Sequence, residues 1–114
     1  MEEGISRKQV QVSISDRFYE SFEQIYDFGF EMFGYFQAEY YKQKIRHVLG
    51  TLPDFYMTYP ECRHLATKSR MYRNIILDSH LIIYRITAQR IEILDIFHSA
   101  SSIGKIRAAR SIRL

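Results

Sequence analysis

The sequence predicts a single α+β domain, in which an N-terminal strand and a helical hairpin precede a three-stranded antiparallel meander. Two observations carry this prediction. Hydrophobic residues recur at helical spacing between residues 16 and 52, and three runs rich in isoleucine, tyrosine and leucine follow residue 70. The 114 residues, 46% of them hydrophobic, suffice for one core, since a domain of this size buries roughly two thirds of its unfolded surface.

The first strand is predicted over residues 8–15, where aliphatic residues alternate with polar neighbours. A helix begins directly after it, because Ser15 and Asp16 supply N-cap oxygens and Glu20 suits the positive end of the helix dipole. Residues at alternating four- and three-residue spacing form the predicted buried stripe of this helix, namely Phe18, Phe22, Ile25, Gly29, Met32 and Phe36.

The second helix of the hairpin is predicted to begin after a break at Gly34. Gly50 and Pro53 are predicted to close it, and a loop with one short helical turn then extends to Arg70. The predicted buried stripe of the second helix is Tyr41, Ile45, Val48 and Leu52.

The three strands of the meander are predicted between residues 71 and 98, with two-residue breaks between them. Because side chains alternate along a strand, we expect Tyr84 of the middle strand to be buried on one face of the sheet and its neighbour Arg85 to point to the opposite face. We therefore expect one sheet face to pack against the hairpin and the other face to remain open to solvent or a partner.

The basic residues are concentrated in two clusters. The formal net charge is +3, and residues 100–114 carry four cations and no acid. We predict that this segment is a basic C-terminal tail beyond a domain at residues 1–99, mobile or loosely docked, where a polyanion or an acidic partner could bind. The pI near 9.1 therefore reflects the tail rather than a basic globule, and it supports nucleic-acid binding only weakly. The clusters are Lys105, Arg107, Arg110 and Arg113 in the tail, and Arg63, His64, Lys68, Arg70 and Arg73 before the meander.

Composition limits the classes of protein that remain. Cys62 is the single cysteine, so the chain forms no internal disulfide and suits a reducing compartment. No apolar run approaches the roughly 20 residues of a membrane span, and residues 1–9 lack the apolar core of a signal peptide. These features predict a cytoplasmic protein that needs no membrane, metal or cofactor.

The order of elements and several phrases resemble the RelE/ParE superfamily of bacterial type II toxins, closest to its ParE-like, plasmid-stabilisation branch. YRNIILDSHLIIYRI and EILDIFHS are similar to the meander of that branch, and the aromatic hairpin with its Gln-Ala pair and proline exit is similar as well. The resemblance covers about residues 9–99. The matching positions in the meander are Arg73, His80, Ile82, Tyr84, Arg85 and His98.

The resemblance implies a toxin that a cognate antitoxin neutralises. RelE-like members cleave messenger RNA in the ribosomal A site, whereas ParE members inhibit DNA gyrase without known nuclease chemistry. Leu81 stands where RelE-like nucleases carry a middle-strand arginine, serines follow His98, and no tyrosine follows Tyr84. The sequence therefore favours a ParE-like toxin that is not an enzyme. The alternatives are a RelE-like, ribosome-dependent endoribonuclease and a non-toxic structural remnant of the family, and the oligomeric state stays open between a homodimer and a hetero-oligomer with the antitoxin.

If the chain cleaves RNA, the candidate catalytic residues are His98, Arg73, Arg85 and Arg70. An imidazole can act as a general acid or base near neutral pH, and an arginine fork can grip phosphate at two points. The simpler alternatives are a backbone hydrogen bond for His98 and structural pairing of the arginines with Glu92 or Asp95.

His80 and His98 are expected to approach each other across paired strands, but two histidines without a third ligand predict no metal site. Tyr84 is expected in the core with its hydroxyl at the rim. The set predicted to bind the target or the antitoxin is Arg63, Lys68, Arg70, Arg73, His80, Tyr84, Arg85, His98, Lys105, Arg107 and Arg110.

The hairpin holds more aromatic side chains than one buried stripe can accommodate. We expect some of them to face outward, and exposed aromatics at this density are typical of a protein interface. The alternative is that the second helix covers them.

Overall fold

The elements follow the predicted order in the computed structural model, which describes residues 10–114. The start of the predicted first strand, and the segment predicted to lack a signal peptide, lie outside the described residues. Short 3-10 turns at Arg63–Leu65 and Ala109–Ser111 accompany the main elements. The strands and helices are β1 (Val12–Ile14), α1 (Asp16–Phe33), α2 (Tyr35–Phe55), β2 (Tyr72–Leu77), β3 (His80–Ile86), β4 (Ile91–His98) and α3 (Ile103–Ala108).

One sheet carries the strands in the order β1-β4-β3-β2. The meander is antiparallel as predicted, and β1 adds to its edge in parallel with β4. A register shift at Ile83/Tyr84 interrupts the pairing of β3 with β4 and lets an extra residue enter β4. Beyond this shift, His80 pairs with His98, so two of the predicted site residues meet at one end of the sheet.

Local signals set the ends of the hairpin. The Ser15 hydroxyl accepts a hydrogen bond from the Phe18 N–H at 3.0 Å and so caps α1. The hairpin turns at Gly34, whose φ of 91° and ψ of 175° lie in a region that only glycine adopts without strain. Both predictions are confirmed.

The predicted end of the second helix was wrong. α2 continues through Gly50 and Pro53 to Phe55. Pro53 lies near the C-terminal end of the helix, so its missing N–H costs a hydrogen bond in the last turn without breaking the helix earlier. The predicted helical turn after residue 53 is therefore the end of α2.

The predicted stripe of the first helix was also wrong at its far end. Phe18 is buried, but Met32 and Phe36 are 59% and 86% exposed. Nothing among residues 10–114 covers this end of the hairpin. Hydrophobic residues therefore keep their helical spacing there, but their side chains are not buried.

The largest core lies between the hairpin and one sheet face. Phe18, Ile45 and Leu52 of the helices pack against aliphatic residues of the meander. The sheet residues of this cluster are Ile75, Leu77, Ile82, Tyr84, Ile91, Ile93 and Ile96.

The prediction that the other sheet face is open was wrong. Ile83, Leu94 and Phe97 lie on that face and are at most 3% exposed. α3 and the 3-10 turn at residues 63–65 cover them and contribute a second cluster. The expected loosely docked tail is also absent, because Ile106 and Ala109 are buried in that cluster. None of the helices within residues 10–114 is long and apolar enough to cross a membrane.

Candidate functional site

Arg73 lies in β2, and its buried side chain holds the loop that precedes the meander. Its Nε donates to the Arg70 carbonyl at 2.9 Å, and one terminal nitrogen donates to the carbonyls of Met57 and Tyr59 at 3.2 and 2.9 Å. The side chain is only 8% exposed. The guanidinium of this candidate catalytic residue therefore donates hydrogen bonds to three backbone carbonyls of the protein itself.

The remaining members of the cluster before the meander lie at the surface. Arg63, Lys68 and Arg70 are exposed. The Nε of Arg70 lies 3.6 Å from a Glu61 oxygen, and an exposed pair of this kind contributes at most about 1 kcal/mol. These residues are accessible to a partner, but the structure does not bring them next to His98 or Arg85 in one catalytic site.

Arg85 joins the sheet to the C-terminal segment. Its Nε donates to Glu92 at 2.8 Å, and a terminal nitrogen donates to the Ile112 carbonyl at 3.0 Å. Arg90 donates to the other Glu92 oxygen at 2.9 Å. Burial raises the pKa of the Glu92 carboxyl, but the hydrogen bonds from both arginines outweigh it and leave the pKa below its usual value. Arg85 therefore forms the structural pair with Glu92 that is the simpler alternative to a catalytic role.

The two histidines lie side by side at the end of β3 and β4, with ring centroids 5.8 Å apart. The Tyr41 hydroxyl is 2.6 Å from His80 Nδ1, and His98 Nδ1 accepts the Ala100 N–H at 3.0 Å. Burial lowers the pKa of His80, and the neighbouring His98 lowers it further, against an opposing contribution from Asp78. The predicted approach of the two rings is confirmed. The structure also contains the backbone hydrogen bond of His98, which is the simpler alternative to a catalytic role.

These histidines do not form part of a metal site in the described structure. Among residues 10–114 there is no group of three His, Cys, Asp or Glu side chains that could hold a metal ion. Cys62 is buried, and burial raises the pKa of its thiol. A thiolate ligand or nucleophile is thus disfavoured at this position.

A cleft of about 530 Å³ separates the hairpin from the histidine end of the sheet. Residues of α1 and α2 form most of its wall, and His80, His98 and Lys105 line its other side. The structure therefore brings three predicted binding residues together. Aromatic residues of the hairpin that line the same cleft were not among the predicted site residues, namely Phe22, Tyr26, Phe28, Phe33 and Tyr41.

The outer end of the hairpin exposes an apolar surface, which we call the hairpin patch. Its members are between 55% and 86% exposed, and Phe28 and Phe33 also line the cleft. The expectation that hairpin aromatics face outward is confirmed, since the second helix leaves these side chains uncovered. The hairpin patch consists of Phe28, Met32, Phe33, Tyr35, Phe36 and Tyr40.

Tyr84 lies in the core as predicted, with no exposed surface. Its hydroxyl donates to the Tyr56 carbonyl at 2.6 Å, and burial raises the pKa of the phenol. Tyr84 thus joins the sheet to the end of α2 and offers no group to a partner.

Comparison with known proteins agrees with this architecture. A family described as "ParE toxin of type II toxin-antitoxin system, parDE" matches residues 12–103. A solved structure described as "Chromosomal ParDE TA system from P. aeruginosa" superposes with a TM-score of 0.66 at 16% identity, over 79% of this chain and 96% of that chain. At this level of identity the structural likeness shows the fold alone. No curated protein matches the chain significantly.

Proposed function

Because the chain belongs to the ParE toxin family of type II toxin-antitoxin systems, we propose that it arrests bacterial growth by binding and inhibiting DNA gyrase. A cognate antitoxin neutralises it by covering the hairpin. In this proposal the toxin acts by binding and performs no nucleolytic chemistry.

The single observation that supports binding over cleavage is the apolar, covered sheet face. Leu81 stands where the resemblance would place a nuclease arginine, and it packs with Ile83 and Phe97 in the second cluster. Ile106 of α3 is buried in the same cluster. A ribose and its phosphate at this face would meet apolar side chains and would lack the cation that the nuclease alternative needs there.

Two of the remaining candidate groups of a nuclease are engaged in structural contacts. Arg73 and Arg85 donate to backbone carbonyls and, for Arg85, to Glu92. Phosphoryl chemistry needs a base and a cation that converge on one reacting atom. His98 lies at the exposed end of β4, whereas Arg85 lies toward the opposite end of the sheet, opposite Glu92.

The antitoxin contact follows from the hairpin patch and the cleft beside it. Large aromatic side chains dominate the energy of protein interfaces. The hairpin patch offers six large apolar side chains at one end of the molecule. An amphipathic antitoxin segment would place its apolar side chains in the cleft and against the patch.

Expression in bacteria tests the mechanism. Induction of the chain without an antitoxin should stop growth while translated messenger RNA stays uncut. His98→Ala should retain most of the toxicity, because the proposal gives its imidazole no chemical role. Cleavage at defined positions within codons, lost in the His98 variant, would establish the endoribonuclease alternative. Unimpaired growth at verified soluble expression would leave only the non-toxic remnant.

Substitution on the hairpin tests the antitoxin contact. Phe33→Ser combined with Phe36→Ser should reduce neutralisation by a co-expressed antitoxin encoded beside the toxin gene. Ile76→Ser is the matched control, because Ile76 is 71% exposed but lies on β2, away from the hairpin. Equal neutralisation of the double variant and the control would refute this docking surface.

A further inference from the structure

Basic residues that are distant in the sequence share one side of the molecule. The 3-10 turn that carries Arg63 contacts α3, which carries Arg107. Arg110 and Arg113 follow α3 and border the same depression as Arg90. We call this surface the basic layer, and its members are Arg63, Arg90, Arg107, Arg110 and Arg113.

The basic layer has little internal charge compensation. The side chains of Arg63, Arg107, Arg110 and Arg113 are exposed and make no hydrogen bond or ion pair with another side chain among residues 10–114. Glu92 is the one acid bordering the depression among the described residues, and Arg85 and Arg90 occupy both of its oxygens. The surface thus keeps a net positive charge with guanidinium groups free to donate.

On the opposite side of the sheet, helix α1 is acidic. α1 packs on the sheet face away from α3, and it carries a single cation, Arg17. Its exposed acids are Asp16, Glu20, Glu23, Asp27 and Glu31. A polyanion that approaches the protein would therefore be repelled from α1 and attracted to the basic layer.

We propose that the basic layer binds the phosphate backbone of nucleic acid, with duplex DNA as its ligand. Exposed arginines supply charge and forked donors, which suffice for phosphate contacts without base recognition. An acidic protein would in addition need apolar anchors at the centre of the contact. No phenylalanine or tyrosine between residues 58 and 114 is exposed, and the exposed large apolar side chains near the layer are only Ile103 and Leu114, whereas the hairpin patch on the other side is rich in aromatics.

The hairpin patch and the basic layer therefore suit partners of different chemistry. The hairpin patch suits a protein segment, and the basic layer suits a polyphosphate backbone. Because they lie on different elements, a toxin whose hairpin is covered by antitoxin retains its affinity for DNA.

A salt titration tests the inference. The full chain, made by cell-free synthesis, is titrated onto a fluorescent random-sequence duplex at increasing salt. The logarithm of the association constant should fall linearly with the logarithm of salt concentration, by about 0.9 for each phosphate contacted. Arg107→Gln, Arg110→Gln and Arg113→Gln together should reduce the steepness of this line by about one for each arginine replaced.

Single substitutions keep the test independent of folding. Arg110→Gln and Arg63→Gln should each weaken binding, whereas Arg46→Gln should not, because Arg46 is exposed on α2 and outside the basic layer. Thermal unfolding of each variant confirms that the fold is retained.

Three results would overturn the inference: no duplex binding at low salt, equal salt dependence in all variants, or displacement of the duplex by polyglutamate at lower charge concentration than by unlabelled DNA. The last result would assign the basic layer to an acidic protein. Since the assay contains neither gyrase nor antitoxin, its outcome is separate from that of the proposed function.

Discussion

At the residue scale, the arginines of the sheet stabilise the fold through contacts that the sequence could not show. Arg73 and Arg85 have the strand positions and the charge expected of ligand-binding groups. Apart from Glu92, which the sequence offered as a partner for Arg85, their partners are the carbonyls of residues 57, 59, 70 and 112. Within residues 10–114, Arg73 forms no ion pair with an acidic side chain and instead donates hydrogen bonds to three backbone carbonyls.

Replacement of Arg73 tests its structural role. Arg73→Met keeps most of the side-chain volume but leaves the carbonyls of Arg70, Met57 and Tyr59 without their donor. We expect the free energy of unfolding in urea to fall by about 2 kcal/mol, the scale of lost hydrogen bonds to a charged group. Arg63→Met, at an exposed position, should change it by less than about 0.5 kcal/mol. Equal stability of the two variants would contradict this structural role.

Glu92 gives a prediction for pH. Its folded-state pKa lies below the ordinary value of 4.5, so the ionised carboxylate stabilises the fold above that pH. This contribution is lost as the pH falls through the lowered pKa. Glu92→Gln should therefore lower the free energy of unfolding by about 2 kcal/mol at neutral pH, and the difference from the parent should shrink in acid. The exposed Glu23→Gln is the control, and a difference between Glu92→Gln and the parent that is constant with pH would contradict the pairing.

At the scale of elements, the sequence predicted what neighbouring residues determine. Ser15 and Gly34 act on the backbone next to them, so the start of α1 and the turn of the hairpin could be read directly. The cover on the second sheet face could not, because Ile106 meets Ile83, Leu94 and Phe97 only through the tertiary fold. A six-residue helix with one buried side chain has too little periodicity to reveal its packing.

The hairpin turn depends on glycine. Gly34→Ala should cost about 1 to 3 kcal/mol, because alanine is strained at the φ and ψ of this position. An added Cβ meets no atom within 4 Å, so the cost is one of backbone conformation. Gly50→Ala, in the interior of α2 with equal space, should instead stabilise by about 0.5 to 1 kcal/mol. Changes of the same sign in thermal unfolding would contradict this account.

The C-terminal helix is part of the core rather than an appendage. Ile106→Ala should reduce the free energy of unfolding by about 2 to 4 kcal/mol, because the side chain is 6% exposed and its loss leaves a cavity. Ile103→Ala, at a position that is 47% exposed in the same helix, should cost about 0.5 kcal/mol. If urea unfolding gave both variants the same stability, the packing of α3 on the sheet would be refuted.

At the scale of the whole molecule, the fold separates an aromatic end, an acidic helix and a basic layer. The sequence contained each set of residues, and it predicted that His80 and His98 meet. It could not predict that Arg63 and the arginines of the C-terminal segment share one surface, because the chain between them forms the meander. The same folding buries Ile83 and Phe97 in the cluster that contains Ile106 of α3, and Leu81 is partly buried against that cluster, on the face where the alternative nuclease would need polar groups.

The central claim is that this member of the ParE toxin family acts on DNA gyrase by binding. Supercoiling of relaxed plasmid by purified gyrase, measured against increasing amounts of the full chain, tests it most directly. We expect supercoiling to be inhibited, and His98→Ala to inhibit equally. Undiminished supercoiling at every concentration of a folded chain, with cleavage of messenger RNA in a translation reaction by the same preparation, would contradict the claim.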